Sequence, residues 1–216
     1  MKALPSLLAG LLVVLAAPFL GASAAHAGTT DHYVDCAATA SGDGSAATPW
    51  NNLASVNAHT FTGGDRLLFA RGVTCSGRLD PRGSGTAASP IVVDAYGSGT
   101  ARPVIAGGGT VDAGIHLYNV QGWEINTLEV TNTAATRATR SGILVEIADI
   151  GTGSHYVLDN VYVHDVTGDD TKASNGIQFE VTGTTTPTHF DDVTVENSEI
   201  YKVDRSEHTS ELQSPC

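Results

Sequence analysis

From about residue 60 to residue 204 the chain runs in short stretches where apolar and polar residues alternate, broken by Gly, Thr, Asp and Ser. Alternation with a period of two places every second side chain on one face, so each stretch predicts a strand with one face buried. Three stretches open on Gly-Ile: GIHLYNV from Gly114, GILVEIA from Gly142 and GIQFEVT from Gly176. Each is followed by a second run: WEINTLEVTNT from Trp123, YVLDNVYVHDV from Tyr156 and VTVENSEIYKV from Val193. Stacked, the second runs keep their apolar residues in columns. One column holds Trp123, Tyr156 and Val193; the next holds Ile125, Leu158 and Val195; a third holds Val130, Val163 and Ile200. The pattern breaks only where Ser198 stands in the column of Leu128 and Val161.

The Gly-Ile units recur after 28 and then 34 residues, and the second runs after 33 and then 37. A repeat of this length with two or three short strands predicts a solenoid, in which each coil buries its inner face against the next. The variable stretches 133–141, 148–155, 167–175 and 182–189 are the connecting loops, rich in the residues that turns need. Upstream, DRLLFARG (65–72), SGRLDPRG (76–83), SPIVVDAYG (89–97) and RPVIAGGG (102–109) read as further short strands. The segment 45–58 predicts a helix capped by Thr48, with Pro49 as its first residue and Trp50, Leu53 and Val56 as its apolar stripe. Such a helix would cover the open N-terminal end. A β-sandwich also has frequent turns, but it does not need in-register repeats.

Composition narrows the class. The first residues carry Lys2, an apolar run from Leu7 to Leu20 and the small-x-small site Ala25-His26-Ala27, so 1–27 reads as a secretory leader. The run is too short and interrupted for a membrane anchor. This predicts an extracellular protein with no membrane contact after cleavage. A net charge of −12 disfavours nucleic acid as a partner. Of the three cysteines, Cys36 and Cys75 make a disulfide pair suited to an oxidising compartment; two buried thiols are the other reading.

Residues 31–204 resemble secreted bacterial right-handed parallel β-helix proteins of the pectate-lyase-like superfamily. The resemblance rests on Tyr33-Val34, Asp43-Gly44, Pro49-Trp50, Gly64-Asp65 to Phe69, Gly83 to Thr86 and Pro90-Ile91, together with the coils after Gly114. It implies an all-β, right-handed parallel β-helix with an N-terminal capping helix: a cap region at 28–62 and coils at 63–204. Better-known members of the group cleave acidic polysaccharides, mostly by β-elimination and often with Ca²⁺. Relatives usually continue for several more coils, so the resemblance also implies a fold incomplete at the C-terminus. It leaves activity to be argued from a site.

β-Elimination needs a group to neutralise a uronate carboxylate, a base for the C5 proton and help for the leaving oxygen. The densest polar cluster is VHDVTGDDTK, where Lys172 or His164 is the candidate base and Asp165, Asp169 and Asp170 are candidate oxygen ligands for Ca²⁺. The same segment also suits an acidic surface loop. Glu146 and Glu180 hold matching places after GILV and GIQF, so they are candidate substrate contacts or a carboxylate pair for hydrolysis. Tyr162 joins them as a substrate-binding candidate, with His116, Tyr118 and Tyr201 as further sugar contacts. The Asn-Thr-Asp, Gly-His-Gly and Arg-Ile-Lys set of polygalacturonase-like hydrolases is missing, as is the Trp-x-Asp-His pattern of the best-known pectate lyases. The sequence therefore predicts an acidic polysaccharide as partner, with a lyase as the leading reading. A non-catalytic glycan-binding solenoid and a hydrolase are the alternatives. The ending RSEHTSELQS has no alternation and no Gly-Ile restart. It resembles the conceptual translation of a sequencing adapter, which makes 205–216 a non-native tail and removes its residues from any site.

Overall fold

The computed structural model describes residues 29–204. The leader expected over 1–27 and the tail expected over 205–216 lie outside the described residues. The chain opens with β1 (Asp31–Val34), the helix α1 (Leu53–Ala58) and β2 (Thr60–Thr62). Coils of three short strands follow: β3 (Arg66–Ala70), β4 (Thr74–Ser76) and β5 (Arg82–Ser84), then β6 (Ile91–Tyr96), β7 (Val104–Ala106) and β8 (Ala113–Tyr118). The next coil has β9 (Trp123–Asn126), β10 (Glu129–Asn132) and β11 (Ser141–Ala148). The last strands are β12 (Thr152–Asp159), β13 (Tyr162–Thr167), β14 (Asn175–Thr182), β15 (His189–Glu196) and β16 (Glu199–Asp204).

The opening strand of each coil joins a six-stranded first sheet, in the order β1-β3-β6-β9-β12-β15. The middle strands make a five-stranded second sheet, β4-β7-β10-β13-β16, and β8-β11-β14 make the third. Strands β2 and β5 pair separately near the N-terminal end. Every strand ladder is parallel, which makes the fold a parallel β-helix solenoid. Its register follows the columns of the sequence. Tyr156 pairs with Trp123 and Val193, Leu158 with Ile125 and Val195, and Val163 with Val130 and Ile200. Ile143 pairs with both Ile115 and Ile177, so the Gly-Ile starts are neighbours in the third sheet.

The core fills the lumen. Trp123 and Tyr156 are fully buried, and their polar atoms are satisfied: Trp123 Nε1 donates to the Gly83 carbonyl at 3.0 Å and Tyr156 Oη to the Val120 carbonyl at 2.8 Å. Burial falls away at the last described coil, where Val193, Val195 and Ile200 are exposed. The glycine of each Gly-Ile start has a steric cause. A Cβ on Gly114, Gly142 or Gly176 would run into Val130, Val163 or Ile200 of the second sheet. The lumen is narrow there, and only glycine lets the two sheets approach.

Each second run is two strands rather than one. Thr127, Asn160 and Asn197 have φ of 56°, 53° and 49°, and the chain turns a corner at each between the first and second sheets. The left-handed residue lets both Ile125 and Leu128 point inward, which a straight strand forbids. The helix also departs from its expected bounds. It starts at Leu53, capped by the Asn52 side chain, which accepts from Ser55 N at 2.8 Å. Thr48 instead donates its hydroxyl to Asp43 at 2.6 Å, and Trp50 bridges to Val34 as extended chain. Local side-chain bonding to Asp43 outcompeted helix formation over 45–51. Cys36 and Cys75 are joined by a disulfide with a Cα–Cα distance of 5.3 Å, which ties the N-terminal segment to β4.

Candidate functional site

Two columns of residues break the ladder on the outer faces. Thr131 pairs with His164 and Asn132 with Val166, so Asp165 is an extra, bulged residue of β13. In β16, His164 pairs with Tyr201 and Val166 with Val203, so Lys202 bulges directly beside Asp165. Both have φ of 49°, a conformation that Asp tolerates and Lys rarely adopts. Bulges re-aim side chains and gather near functional sites. Here they line a cleft of about 420 Å³ with Thr133, Val166, Thr167, Val203 and Asp204. The flanking loop is fixed from beneath by Arg140. Its buried guanidinium donates to the carbonyls of Gly109, Thr136 and Thr167 at 2.8–3.1 Å.

His164 lies beside the cleft between two carboxylates. Its Nδ1 is 2.7 Å from Asp165 Oδ2 and its Nε2 is 3.0 Å from Glu129 Oε1. Burial pulls the imidazole down, but the bonds to Asp165 and Glu129 outweigh it, so its pKa is raised. Asp165 is in turn lowered, first by His164 and also by Lys202, whose Nζ is 3.8 Å away. Tyr162 stacks on the His164 ring at 4.3 Å, and the exposed Tyr201 carries Lys202 Nζ 5.3 Å from its ring centre. Burial raises the Tyr162 phenol, and Glu199 and Glu129 add to it.

The first sheet repeats the motif. Ser154 pairs with Asp191 and Tyr156 with Val193, so His155 and Asp192 are matched bulges with φ of 62° and 55°. His155 bridges Asp192 at 2.7 Å and Glu124 at 3.0 Å. The Asp192 bond is the main cause of its raised pKa; burial opposes and Glu124 adds. On the third sheet Glu146 pairs in register with Glu180, as their matching sequence positions imply. Glu146 is 3.1 Å from His116 Nε2 and accepts from Thr182 Oγ1 at 2.7 Å, while Glu180 accepts from Gln178 at 3.1 Å.

The remaining candidates are dispersed. Lys172 is exposed in a turn, where its carbonyl accepts from Asn175 at 2.7 Å. The lysine beside His164 is Lys202, brought there by the coil repeat. Asp169 accepts from the hydroxyls of Thr171, Ser174 and Thr139, and the Ser174 bond leads in holding it well below the usual carboxylate range. Asp170 pairs with Arg137 at 3.3 Å. Each of the three Asp carboxylates is thus engaged by a protein donor. Among the described residues, the one group of three His, Cys, Asp or Glu whose ligand atoms lie within 4.8 Å of one another is His32, His59 and Asp65, at the N-terminal end.

No family model matches the chain, and none of the curated proteins matches it. Among solved structures it is similar to the GH136 lacto-N-biosidase from Eubacterium ramulus, at 22% identity and a TM-score of 0.70, covering 80% of this chain and 34% of that one. An alginate lyase from Paenibacillus sp. is similar at 18% identity and a TM-score of 0.40, covering 80% of this chain and 66% of that one. A rhamnogalacturonan lyase follows at 14% identity and 0.43, covering 78% and 56%. The first likeness shows the fold, and the chain spans about a third of the length of that enzyme.

Proposed function

We propose that the chain is part of a secreted, carbohydrate-active β-helix protein that binds a glycan along the outer face of the second sheet. The observation that carries this reading is the bulged Asp165–Lys202 column beside a cleft, with Tyr201 exposed next to it. Sugar rings stack their C–H faces on aromatic rings, and their hydroxyls bond to carboxylates and amines. Tyr201 offers the platform; Glu129, Asp165, Glu199 and Lys202 offer the polar partners. The disulfide supports the secreted reading, because such bonds persist in oxidising compartments.

The charge of the strip favours a neutral glycan. Glu129, Asp165 and Glu199 outnumber Lys202, and both ring nitrogens of His164 are already taken up by Asp165 and Glu129. β-Elimination of an acidic polysaccharide is the second reading. It is favoured by the Lys202 ammonium, which lines the cleft, standing 5.3 Å from the Tyr201 ring centre: Lys202 would face the uronate carboxylate, and Tyr201 as phenolate would take the C5 proton as the C4–O bond breaks and pass it to the departing oxygen. Incubation with neutral and acidic polysaccharides separates the two. Retention of neutral glycan without new ultraviolet absorbance supports the first reading. Absorbance of an unsaturated uronide supports the second, and new reducing ends without it indicate hydrolysis.

A further inference from the structure

We propose that His32, His59 and Asp65 form a binding site for a divalent transition-metal ion, Zn²⁺ by its ligand chemistry, at the N-terminal end of the solenoid. The three come from separate elements: β1, the C-cap of α1 and the turn before β3. Their ligand atoms lie within 4.8 Å of one another. Zn²⁺ bonds of about 2.0–2.2 Å in a tetrahedron place ligand atoms roughly 3.4 Å apart, so modest side-chain rotation closes the set. Two imidazoles and one carboxylate suit Zn²⁺ and its transition-metal neighbours, whereas Ca²⁺ and Mg²⁺ take oxygen ligands.

The histidines here differ from the two bulge-side histidines of the outer sheets. His155 and His164 commit both ring nitrogens to carboxylates. Among the described residues, no hydrogen bond engages a ring nitrogen of His32 or His59. Their rings are held by packing instead. His32 stacks on Trp50 at 5.4 Å and 7°, and Phe61 meets both imidazoles edge-on, at 5.4 Å from His32 and 4.7 Å from His59. The carboxylate is oriented as well. Thr62 donates to Asp65 Oδ2 through its backbone at 2.7 Å and its hydroxyl at 3.1 Å, which leaves Oδ1 for an ion. Both histidines are partly exposed, so water can take the fourth position. A bound ion would pin β1 and the end of α1 to the start of the first coil.

The test is calorimetric titration of the purified, chelator-stripped protein with ZnCl₂, followed by Co²⁺ absorption spectroscopy. The expected result is one high-affinity equivalent, visible Co²⁺ bands of a low-coordinate site and a higher melting midpoint with Zn²⁺. His32→Gln with His59→Gln should weaken that equivalent roughly a hundredfold, while His155→Gln with His164→Gln leaves it unchanged. If the first variant does not fold, Co²⁺ broadening of the His32 and His59 resonances in the unaltered protein decides. Broadening centred on other histidines overturns the proposal. So does the absence of binding at about 100 µM free Zn²⁺, or an equivalent that survives in folded His32→Gln with His59→Gln.

Discussion

Two sets of histidines occupy this solenoid, and their surroundings give them opposite characters. On the outer strips, His155 and His164 each lie between two carboxylates, and both pKa values are raised. At the N-terminal end, His32 packs against Trp50 and Phe61, and burial lowers its pKa, helped by the neighbouring His59. The outer imidazoles are held between carboxylates, while those at the cap are held by aromatic packing, with no hydrogen bond to their ring nitrogens among the described residues. The sheet explains the difference. Parallel in-register strands stack outward carboxylates and histidines one coil apart, whereas the cap brings a helix end and a turn against an aromatic wall.

The largest expected effect at the cap end comes from its covalent tie. Replacing Cys36 and Cys75 by Ser opens a loop set by a sequence separation of 39 and should cost about 4 kcal/mol in chemical denaturation. The imidazole resonances of His32 and His59 should move, and those of His155 and His164 should not. Equal shifts in both sets would erase the distinction between the two regions. Asp65→Asn comes next. It keeps the shape but removes the charge that Thr62 bonds to, so stability should fall by about 2 kcal/mol. An unchanged denaturation midpoint would mean that the turn before β3 does not depend on this carboxylate.

A smaller effect should appear as a pH dependence. Folded His155 and His164 hold their protons more tightly than the unfolded chain does. The stability they add is therefore full below the ordinary histidine value of 6.5 and fades as pH rises through the raised folded values. His155→Gln with His164→Gln should flatten the decline of stability above that value in pH-resolved melts. A steeper decline in the variant would reverse the assigned sign.

Much of the fold was legible because the lumen imposes a strict rule. Inward positions repeat as apolar from coil to coil, Ser198 being the exception in its column, so Trp123, Tyr156 and Val193 declare their register in the sequence alone. The corners were not legible. Thr127 lies inside an apparently continuous alternating run, and nothing local marks it as left-handed. The helix starts later than its sequence suggests because Thr48 has the residue type of a cap but bonds to Asp43. At the site, His164 and Asp165 stood out as sequence neighbours. Glu129 and Lys202 did not, since they arrive from adjacent coils, 35 and 37 residues away. Lys172 is near His164 in sequence, but it lies exposed in a turn. His32, His59 and Asp65 are spread over the opening segment, and Gly64-Asp65 read simply as the lead-in to a strand.

The glycan-binding strip is tested most directly by affinity electrophoresis against a panel of neutral and acidic polysaccharides, with Tyr201→Ala alongside the unaltered protein. Loss of an exposed stacking platform worth about 1.4 kcal/mol should weaken retention about tenfold. The pH-resolved melt of the variant should stay unchanged. Retardation by at least one neutral glycan, relieved in the variant, is the predicted result. No retardation by any polysaccharide, or equal retardation of both proteins, would contradict it.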